Sequence, residues 1–278
     1  MDVRVIVALL AAMAHCAVGA PAGVQEREYQ VPHSVDKFGR LVYPASGIMD
    51  TAEGSLELWV RNDFDPGVKL GNLFYSPAAY AVVAEPDGSN QRLYILTRSV
   101  KDGRDMGYIL GKSASFISVT DPARFGWARA GEWHYLAFTW KLEGSRYALC
   151  MYQDGKLVNR ETDTASVVPA IGPDTELSIG SAGESASFIT VDEVRVSAAE
   201  RTPEVIRAAF ASGATFQWDG LTVLLDHLDG LSARGADGTA ALTSANGVRG
   251  RVIGAAAVVA GRFGAAVRLH AIDEVLPR

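Results

Sequence analysis

Between Ser55 and Val196 the chain is a succession of short stretches rich in β-branched and aromatic residues, each closed by Gly, Pro, Asp or Asn, with almost no room for a helix. Ser55 to Arg61 shows the pattern: Leu56, Leu58 and Val60 fall on one face, Glu57, Trp59 and Arg61 on the other, and Asn62-Asp63 ends the run. That alternation predicts a half-buried strand. Further strands are predicted over Tyr80–Ala84, Gln91–Arg98, Met106–Leu110, Ser115–Thr120, Trp133–Leu142 and Arg146–Gln153. Asp154-Gly155 supplies the positive φ that a tight hairpin turn needs, so Lys156–Arg160 should fold back on the preceding strand. Glu176–Ile179 and Phe188–Val196 complete the series. Many strands at short spacing give a sandwich or barrel, and the lack of alternation with long helices excludes a parallel α/β sheet.

One helix is written into the sequence. Thr202-Pro203-Glu204 places a capping residue, a proline at the first helical position and an early acid in order. It runs to Gly213 with Val205, Ile206, Ala209 and Phe210 as the stripe that should lie on the sheet.

The N-terminus addresses the compartment. Arg4 precedes an unbroken apolar run, Val5 to Met13, and Val18-Gly19-Ala20 stand before Pro21, so residues 1–20 read as a signal peptide with cleavage expected after Ala20. His15 before Cys16 argues against lipidation. The expected mature chain keeps only Cys150 and so has no internal disulfide; its stability must come from its core. No second apolar run is long enough to span a bilayer. A formal charge of −6 and the lack of a basic cluster argue against nucleic acid and acidic lipid. A secreted or cell-envelope location is expected.

After Gly213 the composition shifts toward Gly and Ala. Gly261-Arg262-Phe263-Gly264-Ala265-Ala266-Val267-Arg268-Leu269 echoes Asp36-Lys37-Phe38-Gly39-Arg40-Leu41-Val42-Tyr43, a candidate internal repeat.

Several segments together resemble the LamG-like jelly-roll domains of the concanavalin A-like superfamily. They are Phe38-Gly39-Arg40, Gly54-Ser55-Leu56-Glu57-Leu58-Trp59-Val60, the Gly131–Trp140 stretch, Tyr152-Gln153-Asp154-Gly155-Lys156-Leu157-Val158, Leu177-Ser178-Ile179-Gly180 and Asp192-Glu193-Val194-Arg195-Val196-Ser197. The resemblance implies an all-β, antiparallel jelly-roll β-sandwich over residues 21–212, with one short capping helix near 202–212. Leu224-Leu225-Asp226-His227-Leu228-Asp229-Gly230 looks like the opening strand of such a domain. Residues 213–278 are therefore expected to be either a partial second repeat or C-terminal strands that dock on the first domain, with Leu221–Leu228 supplying a missing edge.

The superfamily includes glucanases, but the Glu-x-Asp-x-x-Glu arrangement that would set two carboxylates on one strand face is absent. Glu57 has no acid at Trp59, and Asp192 and Glu193, being adjacent, should point to opposite faces. There is no Gly-x-Ser-x-Gly, Cys150 sits in an apolar strand, His134 reads as packing at a sheet edge, and no His or Cys pair has metal spacing. No catalytic residue is assigned. Calcium is the one ion to consider, through Asp63 and Asp65 or Asp102 and Asp105, whose plainer role is to solvate turns. Trp59, Trp133 and Trp140 are expected in the core, while Tyr75, Tyr80, Tyr94 and Tyr108 could line a concave sheet that stacks on sugars. The expected function is a non-catalytic recognition or adhesion module for a glycan or extracellular protein, with no cofactor required. The alternatives are a structural spacer or fragment of a larger surface protein, and a glycoside hydrolase with an unfamiliar acid pair.

Overall fold

Alternating apolar stretches need partners for both their backbone groups and their buried face, and here they find both in two stacked antiparallel sheets. The computed structural model describes residues 27–28, 39–50, 52–63, 72–75, 80–87, 90–97, 99–101, 104–106, 115–119, 131–164, 173, 176–180, 189–232 and 239–270. In chain order the strands begin with β1 (Arg27–Glu28), β2 (Arg40–Pro44), β3 (Glu53–Asn62), β4 (Asn72–Tyr75), β5 (Tyr80–Asp87) and β6 (Asn90–Thr97). There follow β7 (Ser99–Lys101), β8 (Arg104–Met106), β9 (Ser115–Val119), β10 (Trp133–Glu143), β11 (Arg146–Gln153), β12 (Lys156–Thr164), β13 (Glu176–Gly180) and β14 (Ile189–Ser197). After the helix α1 (Pro203–Ser212) come β15 (Thr222–Asp226), β16 (Ala240–Thr243), β17 (Arg249–Ile253), β18 (Ala256–Ala260) and β19 (Ala265–Leu269). The first sheet runs β1-β18-β19-β14-β3-β10-β11-β12, with β15 also on β14; the second runs β16-β17-β2-β13-β4-β5-β6-β9; β7 and β8 form a separate hairpin.

The turn at Asp154-Gly155 is the tight hairpin expected: φ is 51° and 72°, and Gln153 pairs with Lys156. Of the predicted strand at Met106–Leu110, Met106 closes β8, and 107–110 lie outside the described residues.

Between the sheets, Leu56, Leu58 and Val60 of β3 meet Leu136, Phe138 and Trp140 of β10 and, from the second sheet, Leu41, Tyr43, Leu177 and Ile179. The C-terminal strands share this core through Leu224, Leu242, Val252, Val267 and Leu269. The two similar Phe-Gly stretches enter different sheets, as β2 and β19, and meet where the Gly39 amide donates to the His270 carbonyl.

β3 is not half buried, as its alternation predicts, but buried on both faces: Glu57 is 0% and Trp59 1% exposed. The outer face of the first sheet carries a second apolar layer, in which Trp59, Tyr135, Cys150 and Tyr152 pack under Ile206 of α1 and Phe216. Alternation along one strand cannot reveal a helix arriving from 150 residues further on. Thr202 caps α1 by accepting from the Val205 amide, and Gly213, at φ 58°, closes it by donating to the Phe210 carbonyl. On the stripe that faces the sheet Ile206 is buried and Ala209 and Phe210 are partly buried; Val205, placed with them by sequence, is exposed because it lies about 100° around the helix from Ile206.

Candidate functional site

The outer face of the first sheet gathers most of the described buried charge. Glu57 is the direct cross-strand neighbour of Arg195. Its Oε1 accepts from Arg195 Nη2 at 2.7 Å and from the Tyr135 hydroxyl at 2.5 Å, and its Oε2 accepts from Arg195 Nε at 2.8 Å. Arg201 Nε lies 2.9 Å from the same Oε2. Arg201 then reaches Asp219 with two bonds, 2.8 and 2.9 Å, and these hold the Asp219 carboxyl well below the usual carboxylate range. Burial, reinforced by the Glu57 charge, pushes the Tyr135 phenol far up, so that it stays a donor. The Glu57 carboxylate is saturated by cations and closed to solvent.

The second feature is a bulge in β14 at Asp192-Glu193, where Glu193 takes φ 54°. Residues 189–191 pair with β19 and residues 194–197 with β15, so the neighbour on that edge changes at the bulge. The extra residue also breaks the side-chain alternation. Val191 and Val194 face the inner core, whereas Asp192 and Glu193 both turn away from it, contrary to the opposite-face expectation from simple alternation.

Asp192 Oδ2 accepts the amides of Arg262 and Phe263, at 2.8 and 3.0 Å, and so holds the turn between β18 and β19; its Oδ1 is buried without a hydrogen bond. Burial outweighs the two amides and, with the Glu193 and Asp229 charges, pushes its pKa up to about 7. Glu193 accepts the Phe216 amide and lies 2.8 Å from His227 Nδ1; burial raises its pKa too. The Arg262 guanidinium lies 3.9 Å over the Trp59 ring. These carboxylates hold loops in place.

The third feature is an open cavity of about 120 Å³ beside the end of α1. Phe216, Arg195, Ser212, Thr215, Gln217 and two alanines line it. Arg195 stacks on the Phe216 ring, 4.5 Å from its centroid, and donates Nη1 to the Gln217 carbonyl. Trp218, next in the chain, is 52% exposed.

Of the candidate calcium ligands, Asp63 has both oxygens engaged: Oδ1 with Arg61 Nε at 2.6 Å, Oδ2 with the Thr190 hydroxyl. Asp65 and Asp102 lie outside the described residues, and Asp105 is described only as part of β8. Among the described residues no group of three or more His, Cys, Asp and Glu is placed to hold a metal ion. Trp140 is in the inner core and donates to the Asp50 carbonyl; Trp59 is in the outer layer, with Trp133 packed partly buried against it. Tyr75, Tyr80 and Tyr94 lie on β4, β5 and β6 with side chains outside the description, as is Tyr108 altogether. His134 is not at a sheet edge: β10 lies between β3 and β11, and its Nδ1 is 2.8 Å from Asp154. Cys150 is buried, and burial raises its thiol pKa.

Sequence reasoning missed Arg195, Arg201 and Arg262 as partners of the buried acids. The only available signal was a charge at an alternating strand position, as at Glu57 and Arg195; it is the pairing register that places those two opposite each other.

The family Laminin_G_3, described as concanavalin A-like lectin/glucanases superfamily, matches residues 38–207. No curated protein matches the chain. Among solved structures, a native heptameric SAP-like pentraxin from Limulus polyphemus is similar at 14% identity and TM-score 0.45, over 73% of this chain and 91% of that one. The receptor binding domain of botulinum neurotoxin C/D mosaic serotype is similar at 10% identity and TM-score 0.43, over 68% of this chain and 46% of that one. The binding domain of botulinum neurotoxin DC, solved with rat synaptotagmin II, gives 12% identity and TM-score 0.42, over 91% of this chain and 74% of that one. With Laminin_G_3 matching more than half of its length, the chain belongs to the concanavalin A-like lectin/glucanases superfamily.

Proposed function

We propose that this is an exported, non-catalytic recognition module whose ligand is a glycan or an extracellular protein. The observation that carries the reading is the fate of its strand carboxylates within a lectin-like family. Glu57, Asp192 and Glu193 are each 0% exposed and engaged by arginines, loop amides or histidine. Glycoside hydrolysis needs a pair of acids that flank a bound sugar, and these acids are spent on the fold. Among the described residues the surface also carries an open, mixed polar and apolar cavity at the edge of the outer layer.

Export rests on the basic start, apolar run and small residues of 1–20. We read 222–269 as completing the module, since its strands pair with β14 and β2 and share the inner core. No cofactor is required in this reading; titrating calcium into chelator-treated protein tests Asp65, Asp102 and Asp105.

The chain lacking residues 1–20 should give reproducible signal on an array of glycans or capture a specific extracellular protein, and should release no reducing sugar from polysaccharides. Reducing-sugar release that is lost on changing one of its acids would replace this reading with the hydrolase.

A further inference from the structure

The turn that joins β16 to β17, residues 244–248, contains Asn246-Gly247. Both residues are exposed, Gly247 takes φ 78°, and a Cβ placed on it would meet nothing within 4 Å. An asparagine followed by glycine leaves its side-chain carboxamide open to attack by its own backbone, because the next residue has no Cβ to obstruct the approach. Asn62, Asn72, Asn90 and Asn159 are followed by Asp, Leu, Gln and Arg, whose side chains stand in that path.

The same side chain has a structural task. Its Nδ2 donates to the Val223 carbonyl of β15 at 2.7 Å, and its Oδ1 accepts from the Ser244 hydroxyl at 2.7 Å. Beside it the Ala245 amide donates to the Leu225 carbonyl, also at 2.7 Å. Because β15 belongs to the first sheet and β16 and β17 to the second, the bonds to Val223 and Leu225 tie one sheet to the other. A carboxylate in place of the carboxamide has no N–H to offer. It would set an anionic acceptor against the Val223 carbonyl and turn a bond into a repulsion.

We propose that Asn246 is a site of spontaneous deamidation, and that its conversion unfastens the 244–248 turn from β15. The Gly247 nitrogen attacks Cγ of Asn246: an N–C bond forms and the Cγ–Nδ2 bond breaks. The Gly247 amide proton passes by way of solvent to the departing Nδ2, which leaves as ammonia. One water then opens the cyclic imide at either carbonyl, giving aspartate, or isoaspartate with an extra methylene in the backbone. Water is the only co-reactant. The fold sets the pace, since the Gly247 amide donates to the Ser244 carbonyl at 3.0 Å and the carboxamide is held at both ends. Reaction therefore requires the turn to open first.

The test holds the purified protein at physiological temperature in neutral buffer, with and without urea, and follows each asparagine by peptide mass mapping. Asn246 should be the first to convert, to a mixture of aspartate and isoaspartate, about tenfold more slowly in the folded protein than in urea. Ser244→Ala, which frees Oδ1, should quicken the folded reaction about threefold. Converted protein, separated from fresh protein by ion exchange, should exchange the amides of residues 244–248 for deuterium about tenfold faster. Asn246→Asp should behave as the converted protein does. Earlier conversion of another asparagine in the folded protein refutes the site, as does an unchanged Asn246 after about a hundredfold longer than the urea reaction needs. Equal rates in buffer and urea refute the restraint by the fold. Equal deuterium exchange in fresh and converted protein refutes the unfastening, and Asn246→Asp repeats that comparison on a homogeneous sample.

Discussion

Replacing Glu57 with leucine should be among the most damaging single changes in this protein. Glu57 is 0% exposed, and the side chains of Arg195 and Arg201 are 6% and 3% exposed. Arg201 would keep Asp219, Ser197 and Thr222. Arg195 would keep only the Gln217 carbonyl and the Phe216 ring, and the Tyr135 hydroxyl would lose its acceptor. An uncompensated buried charge costs about 3–5 kcal/mol. Arg195→Met alone should cost about 2 kcal/mol, because Glu57 keeps Arg201 and Tyr135. The pair Glu57→Leu with Arg195→Met should then be more stable than the sum of the singles implies, by about 2 kcal/mol of coupling. Urea unfolding followed by tryptophan fluorescence and circular dichroism, with m unchanged, gives each value. A Glu57→Leu cost below about 1 kcal/mol, or a double variant no better than the sum, would refute the claim that these charges are buried against each other.

Removing everything after Gly213 takes away β15 to β19 and, from the inner core, Leu224, Leu228, Leu242, Val252, Val267 and Leu269. At about 1.5–3 kcal/mol for each buried side chain, the loss rivals the whole stability of a domain. The truncated chain should not unfold cooperatively, and unchanged solubility and melting temperature would count decisively against the completing role. Asp192 has its pKa raised on folding to about 7, so the folded state favours its protonated form. Its contribution to stability is therefore fully present below the ordinary carboxylate value of 3.8 and is lost as pH rises from there to about 7. Relative to wild type, Asp192→Asn should gain melting temperature between about pH 4 and about pH 7 and hold level above that; parallel profiles would rule this out. A Cβ at Gly261 would meet Asp192 Oδ2 at 2.6 Å and the Ala265 carbonyl at 2.9 Å, whereas one at Gly220 meets nothing within 4 Å. Gly261→Ala should thus lose about 1–3 kcal/mol in chemical denaturation, and a loss no greater than that of Gly220→Ala would contradict the close packing.

Most of the long strands between Ser55 and Val196, the Asp154-Gly155 hairpin and the capped helix at Pro203–Ser212 were determined by sequence, because each depends on local chemistry: alternation, a turn that needs positive φ, a cap. Fold class followed from those elements in series. Long-range geometry decided the rest. Burial of the outer face of β3 depends on α1 and Phe216, and neutralisation of Glu57 depends on the register between β3 and β14. The shared orientation of Asp192 and Glu193 depends on a bulge where β14 changes neighbour from β19 to β15, which period-two reasoning along one strand has no means to detect. The cavity at Phe216 likewise exists only because the segment after α1 folds back over Arg195, a contact across about 20 residues of chain that no local pattern encodes.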